Sequence, residues 1–177
     1  LACGEELVPT GKAMDSIRKA GADWRTWVLT FLYFISFGGF IALTVWLPTF
    51  WTDFFKISLV QAGLLTAAFS LSTSVLRVFG GIAADKLGGL LVAQLSFGVV
   101  AAGALVIFAG GMSMAAAFIG QMLLAVGMGV ANAAVFKLVP RFTPKAVGGA
   151  AGIIGGLGAF GGFALPPILG IFVRLNG

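Results

Sequence analysis

Histidine is absent from the 177 residues, and cysteine occurs once, at Cys3. The first absence excludes His-based acid–base catalysis and imidazole metal ligands. The second excludes an intrachain disulfide and any multi-cysteine metal centre. Charge is scarce as well: eleven Lys and Arg and six Asp and Glu make up 10% of the chain, where a soluble domain carries about 25%. That leaves too little polar surface to cover a water-soluble globule. A hydrophobic share of 59% is the opposite of what keeps a chain disordered. The pI near 9.9 does not point to nucleic acid, because the cations are too sparse and scattered to track phosphates. Alternating segments of about ten residues are missing too, which argues against a β-barrel. With no nucleophile–base pair, metal-ligand cluster or phosphate loop in view, neither an enzyme nor a cofactor is expected.

What is present is a set of long uncharged runs, over residues 26–52, 57–76, 87–136 and 146–173, in a chain of mean hydropathy +1.07. About 20 apolar residues span the hydrocarbon of a bilayer as a helix. The longest run therefore holds two crossings, broken at the small-residue stretch Ala109-Gly110-Gly111-Met112-Ser113. The expected fold is all-α and polytopic, with five transmembrane helices at about 27–50, 60–82, 89–109, 113–138 and 146–172. The first 24 residues read as a polar, loop-like segment without the apolar core of a signal peptide. Pro140 and Pro144 flank the loop before the last span, and Pro166-Pro167 is expected to kink or end it.

Orientation follows from the cations in the connections. With the N-terminal segment in the cytoplasm, Lys12, Arg18, Lys19, Arg25, Lys86, Lys137, Arg141 and Lys145 fall inside. Only Lys56 and Arg174 fall outside. Trp24 and Trp27 then mark the inner interface, and the aromatic cluster from Trp46 to Phe55 reads as anchors at the outer one. An odd number of spans and a start without Met point to a piece of a longer protein.

One cation breaks the pattern. Arg77 stands eight positions before Asp85, which marks the end of the second span. Eight helical residues rise about 12 Å, close to half of a hydrocarbon core of about 30 Å. A guanidinium there costs at least a few kcal/mol. The spans offer no Asp or Glu to pair with it, Asp53 and Asp85 being at helix ends. An unpaired cation in a cavity is what an anion site requires, and a planar fork of donors suits a planar oxyanion. Two other readings stand beside this one: snorkelling to the cytoplasmic headgroups, and pairing with a carboxylate elsewhere in the protein. Tyr33 and Phe37, four apart and so on one helical face, offer a phenol and a ring to a flat anion. Tyr33 is the only tyrosine.

Two further patterns are notable. The last span carries eight glycines between Gly148 and Gly162, including Gly152, Gly155, Gly156 and Gly158. Each costs about 1 kcal/mol relative to Ala in a helix. The four-residue repeat of Gly148, Gly152 and Gly156 reads either as a close-packing stripe or as bare backbone beside a substrate path. Asn132, in the fourth span, reads as a cross-helix hydrogen-bonding residue or as part of the pathway lining.

The stretch from Arg77 to Gly89 resembles the loop signature G-x-x-x-D-[RK]-x-G of the major facilitator superfamily, filled here by Gly81, Asp85, Lys86 and Gly88. The arginine eight residues before the Asp, the glycine run over 148–162 followed by Ala164-Leu165-Pro166, and the aromatic pair Tyr33 and Phe37 are similar to the nitrate/nitrite porter family within it. The resemblance covers the chain from about residue 24. It implies helices seven to eleven of twelve, with residues 1–24 as a cytoplasmic linker between halves and 25–177 as the C-terminal half, truncated before the last helix. It further implies that Arg77 binds nitrate or nitrite, Phe37 stacks on it, Tyr33 contacts or gates it, and the glycine helix lies beside the site. A second arginine would come from the missing N-terminal half. The function so implied is nitrate/nitrite movement across the cell membrane by alternating access, as exchange or as proton-coupled uptake. A facilitator for another small solute or organic anion, and a non-transporting membrane subunit, remain as alternatives. The expected partners are the anion, the bilayer and the missing half.

Overall fold

The computed structural model describes the backbone of residues 10–176 and the side chains of 12–171. Residues 1–9, with Cys3 and the start of the expected linker, lie outside the described residues, as does the side chain of Arg174. The described backbone is helical: α1 (Thr10–Ala22), α2 (Trp24–Tyr33), a π-helical segment (Phe34–Gly38), α3 (Gly39–Phe55), α4 (Leu59–Leu87), α5 (Gly89–Gly110), α6 (Met114–Phe142), α7 (Val147–Ala159) and α8 (Gly161–Asn176). Five continuous stretches are long and apolar enough to cross a bilayer: Trp24–Phe55, Leu59–Leu87, Gly89–Gly110, Met114–Phe142 and Val147–Ile171. They match in number and order the five expected; the first, second and fourth reach a few residues further at an end, while the fifth is a residue shorter at each end.

The helix ends have local causes. Asp23 caps α2 through the Arg25 amide. Ser58 and Gln61 form a reciprocal capping box at the start of α4, and Ser113 caps α6 through the Ala116 amide. Between α4 and α5 the whole turn is Gly88, at φ 92°, a conformation that a side chain would strain.

Helix α6 is the hub. Of its most apolar stretch 61% is buried, against 22–33% for the other four spans. Lipid tails are as apolar as leucine, so helices associate by close packing rather than by hydrophobic burial. The seam between α4 and α6 illustrates this. A methyl group on Gly80 would lie 2.6 Å from the Val130 Cα, and one on Gly129 would lie 2.6 Å from the Thr73 carbonyl oxygen. On the other side of the bundle, a methyl on Gly38 would meet the Gly161 Cα at 2.7 Å, which draws the π-helical segment against the junction of α7 and α8.

Four expectations need correction. The first 24 residues are not loop-like throughout, since Thr10–Ala22 is a helix. Its Ala20 is buried and its Ser16 Oγ accepts the Gly149 amide at 3.1 Å, so α1 is held by the glycine helix. Pro166-Pro167 does not end the last span. The helix runs through both prolines to Asn176, and the interruption falls at Phe160, next to Gly161 and Gly162, where the backbone meets Gly38 and Ile41. Pro140, expected just past the end of the fourth span beside the loop, lies inside α6, which runs on to Phe142. Finally, Trp51 is no interfacial anchor. It is fully buried and donates through Nε1 to Gln121 Oε1 at 2.8 Å, while Gln121 Nε2 donates to the Leu65 carbonyl at 2.8 Å. This chain of bonds ties α3, α6 and α4 together.

Candidate functional site

Arg77 sits on α4 in the stretch that packs on α6, between Thr73, which meets Gly129, and Gly80 and Gly81, which meet Val130 and Ala133. Its guanidinium carbon lies 5.0 Å from the centroid of the Phe37 ring, within the range of cation–π attraction. The only ion pair among the described residues is Asp85 with Lys137, so no described carboxylate neutralises Arg77. Its Nε is buried without a hydrogen-bond partner among the described residues.

Phe37 is held in turn. Tyr33 stacks on it, centroids 5.0 Å apart and planes 18° from parallel. Phe136 of α6 meets Tyr33 edge-on at 4.8 Å. The four-residue spacing that puts Tyr33 and Phe37 on one face crosses the π-helical segment, where the Gly39 amide reaches back five residues to the Phe34 carbonyl. Such wide turns concentrate at functional sites. The Phe37 ring, expected to stack on an anion, thus carries the guanidinium over it and Tyr33 against it.

The glycines divide into two faces. A methyl on Gly158 would meet the Tyr33 ring at 2.6 Å, and one on Gly155 would lie 3.7 Å from the Phe136 ring, so both abut the aromatic cluster. Gly148, Gly152 and Gly156 face open space. Within the described residues that stripe packs no neighbouring helix, whereas the second four-residue repeat, Gly158 and Gly162, makes the close approaches of a packing stripe. Close approach falls also on Gly149 and Gly161. Asn132 is 2% exposed, and neither its amide oxygen nor its nitrogen has a partner among the described residues. The expected cross-helix bond is therefore not formed.

The loop residues lie on the cytoplasmic side of the proposed orientation, away from this cluster. Gly81 lies on α4 against α6, Gly88 makes the turn, Lys86 is exposed, and Asp85 pairs with Lys137 near the end of α6. Sequence reasoning missed Phe136, whose four-residue spacing from Asn132 was a usable signal. It also missed Ser36, the one serine of the first span, fully buried with an unpartnered Oγ.

The chain is 35% identical to a probable nitrate/nitrite antiporter, NarK1, of Thermus thermophilus, over 81% of this chain and 37% of that protein. It is 37% identical to a nitrite extrusion protein of Bacillus subtilis, over 85% of this chain and 38% of that one. It is 31% identical to a probable nitrate transporter, NarT, of Staphylococcus epidermidis, over 90% and 41%. The chain thus spans about two fifths of the length of the curated relatives it matches. No solved structure matches it. The sequence profile of the Major Facilitator Superfamily matches residues 12–177, and with five membrane-spanning helices and the loop signature in place the chain belongs to that superfamily.

Proposed function

We propose that this chain supplies the C-terminal half of a nitrate/nitrite carrier of the cell membrane, with α1 on the cytoplasmic side as part of the connection between halves. The observation that carries the reading is Arg77: a guanidinium inside a span, backed by an aromatic ring, with no carboxylate among the described residues to neutralise it. A planar anion supplies both the missing charge and acceptors for the two terminal amino groups of the fork. Phe37 holds the guanidinium, Tyr33 holds Phe37 and contacts or gates the anion, and Gly155 and Gly158 make room for the aromatics. The open stripe of Gly152 and Gly156 faces the other half across the substrate path. The relatives named for nitrate and nitrite support the choice of anion.

Alternating access places the site near the bilayer midplane between two rocking halves. An arginine from the other half would repel Arg77 until an anion sits between them, so closure needs cargo. An empty carrier then switches slowly, which favours exchange. Proton coupling is disfavoured in this half because the described spans carry acids only near their ends, at Asp53 and Asp85. The test is nitrate uptake into vesicles holding the full carrier, loaded with nitrite or left unloaded. Uptake accelerated by internal nitrite is expected. Absence of nitrate and nitrite movement under both conditions, with another anion or a neutral solute transported, overturns the reading.

A further inference from the structure

Two contacts fix how the first span lies against α6. Tyr33 meets Phe136, and Gly39 meets Met128, whose Cε would lie 3.2 Å from an added methyl. The two helices therefore run antiparallel, and the midpoint between these contacts is Ser36 on one helix and Asn132 on the other. Both side chains are sealed, at 0% and 2% exposure. Ser36 Oγ, Asn132 Oδ1 and Asn132 Nδ2 have no partner among the described residues, and neither does Arg77 Nε. Arg77 lies between the contact of Thr73 with Gly129 and those of Gly80 with Val130 and Gly81 with Ala133, which lie on the turn of α6 that carries Asn132. Three spans thus bring four orphaned polar atoms to one level, beside the Phe37 ring.

A sealed polar atom without a partner destabilises the fold, and folded proteins satisfy nearly all such atoms. A buried water is held where two to four polar groups converge. Here the groups are complementary: Arg77 Nε and Asn132 Nδ2 donate, Asn132 Oδ1 accepts, and Ser36 Oγ does either. We infer that Ser36 and Asn132 form a polar subsite holding one buried water, which accepts the Arg77 Nε–H and donates to Asn132 Oδ1. This fixes the roll of the guanidinium, so that its two terminal amino groups stay turned toward the anion. Ser36 and Asn132 are positioning residues in this arrangement, acting on the cargo through Arg77. The inference rests on the carrier reading for its effect on transport, but not for the existence of the subsite.

The experiment has two arms in the full carrier. The first is a melting cycle in detergent without added anion, on wild type, Asn132→Leu, Arg77→Leu and the double variant. Asn132→Leu is expected to lower the melting temperature by about 2–4 °C when Arg77 is present, and to leave it unchanged or raised when residue 77 is Leu. Equal shifts in the two backgrounds overturn the subsite, whatever transport does. The second arm is nitrate uptake in vesicles. Asn132→Leu is expected to raise KM about tenfold with little change in the maximal rate. Asn132→Asp is expected to abolish saturable uptake, because its carboxylate neutralises Arg77 from the Nε side and removes the charge that draws the anion. Ser36→Ala is expected to raise KM severalfold, with Ser36→Thr restoring it. An unchanged KM in Asn132→Leu overturns the positioning role. Failure of the wild type to move nitrate or nitrite counts against the carrier reading and leaves the melting cycle to decide the subsite.

Discussion

An arginine survives in an apolar span only if something compensates its lost hydration. At Arg77 part of that compensation is visible in the Phe37 ring 5.0 Å away. A cation over an aromatic face gains about 0.5 to 2 kcal/mol, the larger value when water is excluded. Phe37→Leu keeps the apolar volume and removes the quadrupole. It is expected to raise the KM for nitrate by roughly 2- to 30-fold, the range those energies give at 1.4 kcal/mol per tenfold, while Phe37→Trp preserves uptake. Vesicle uptake over a range of nitrate concentrations checks this, and equal KM values for Phe37→Leu and wild type would remove the ring from the site. Arg77, Tyr33 and Phe37 were legible in the sequence because each is rare in its setting: one cation inside a span, one tyrosine in the chain, one ring four positions on. Ser36 was not legible. A serine in a membrane helix commonly bonds its own backbone, and only the register against Asn132 distinguishes this one.

At the scale of helices, the uncharged runs locate the five spans because hydrocarbon thickness sets a length, although Arg77 cuts the second run inside α4 and a small-residue break, not a charge, parts α5 from α6. The sequence does not say which face of each helix meets which neighbour. The glycines show why: Gly80 and Gly98 look alike in the sequence, yet a methyl on Gly80 would meet the Val130 backbone and one on Gly98 would meet nothing. Gly80→Ala is expected to destabilise the bundle by about 1–3 kcal/mol through overpacking at the seam of α4 and α6. Gly98→Ala is expected to be neutral or stabilising by up to about 1 kcal/mol through helix propensity. Thermal unfolding of the two variants in detergent separates them, and equal melting temperatures would contradict the seam. The same reasoning covers Trp51. Its place in an aromatic cluster at a span end suggested an interfacial anchor, but its partner Gln121 lies 70 residues away, a distance no local pattern reports. Gln121→Leu leaves the indole Nε1 and the Leu65 carbonyl unpaired, and a loss of about 1–3 kcal/mol is expected in the same melting assay.

For the whole molecule, the face carrying Gly148, Gly152 and Gly156 is where this chain offers bare backbone to open space. If that face borders the substrate path, a probe there reports cargo. In a carrier whose Cys3 and any other cysteines have been replaced, Gly156→Cys is expected to react with a membrane-impermeant thiol reagent, and nitrate is expected to slow the reaction. Labelling from lipid-soluble reagents alone would place the stripe against the bilayer instead. Gly158→Cys serves as the contrast, since Tyr33 occupies the space its side chain needs.

Anion carriage by this half stands or falls on the Arg77 guanidinium. The most direct measurement is nitrate uptake by Arg77→Lys in vesicles, at matched amounts of folded carrier. Lysine keeps the charge but loses the planar fork, so kcat/KM for nitrate is expected to fall at least about tenfold, a loss of 1.4 kcal/mol or more. Uptake equal to wild type, with the protein folded and in the membrane, would contradict the assignment of Arg77 as the anion's partner.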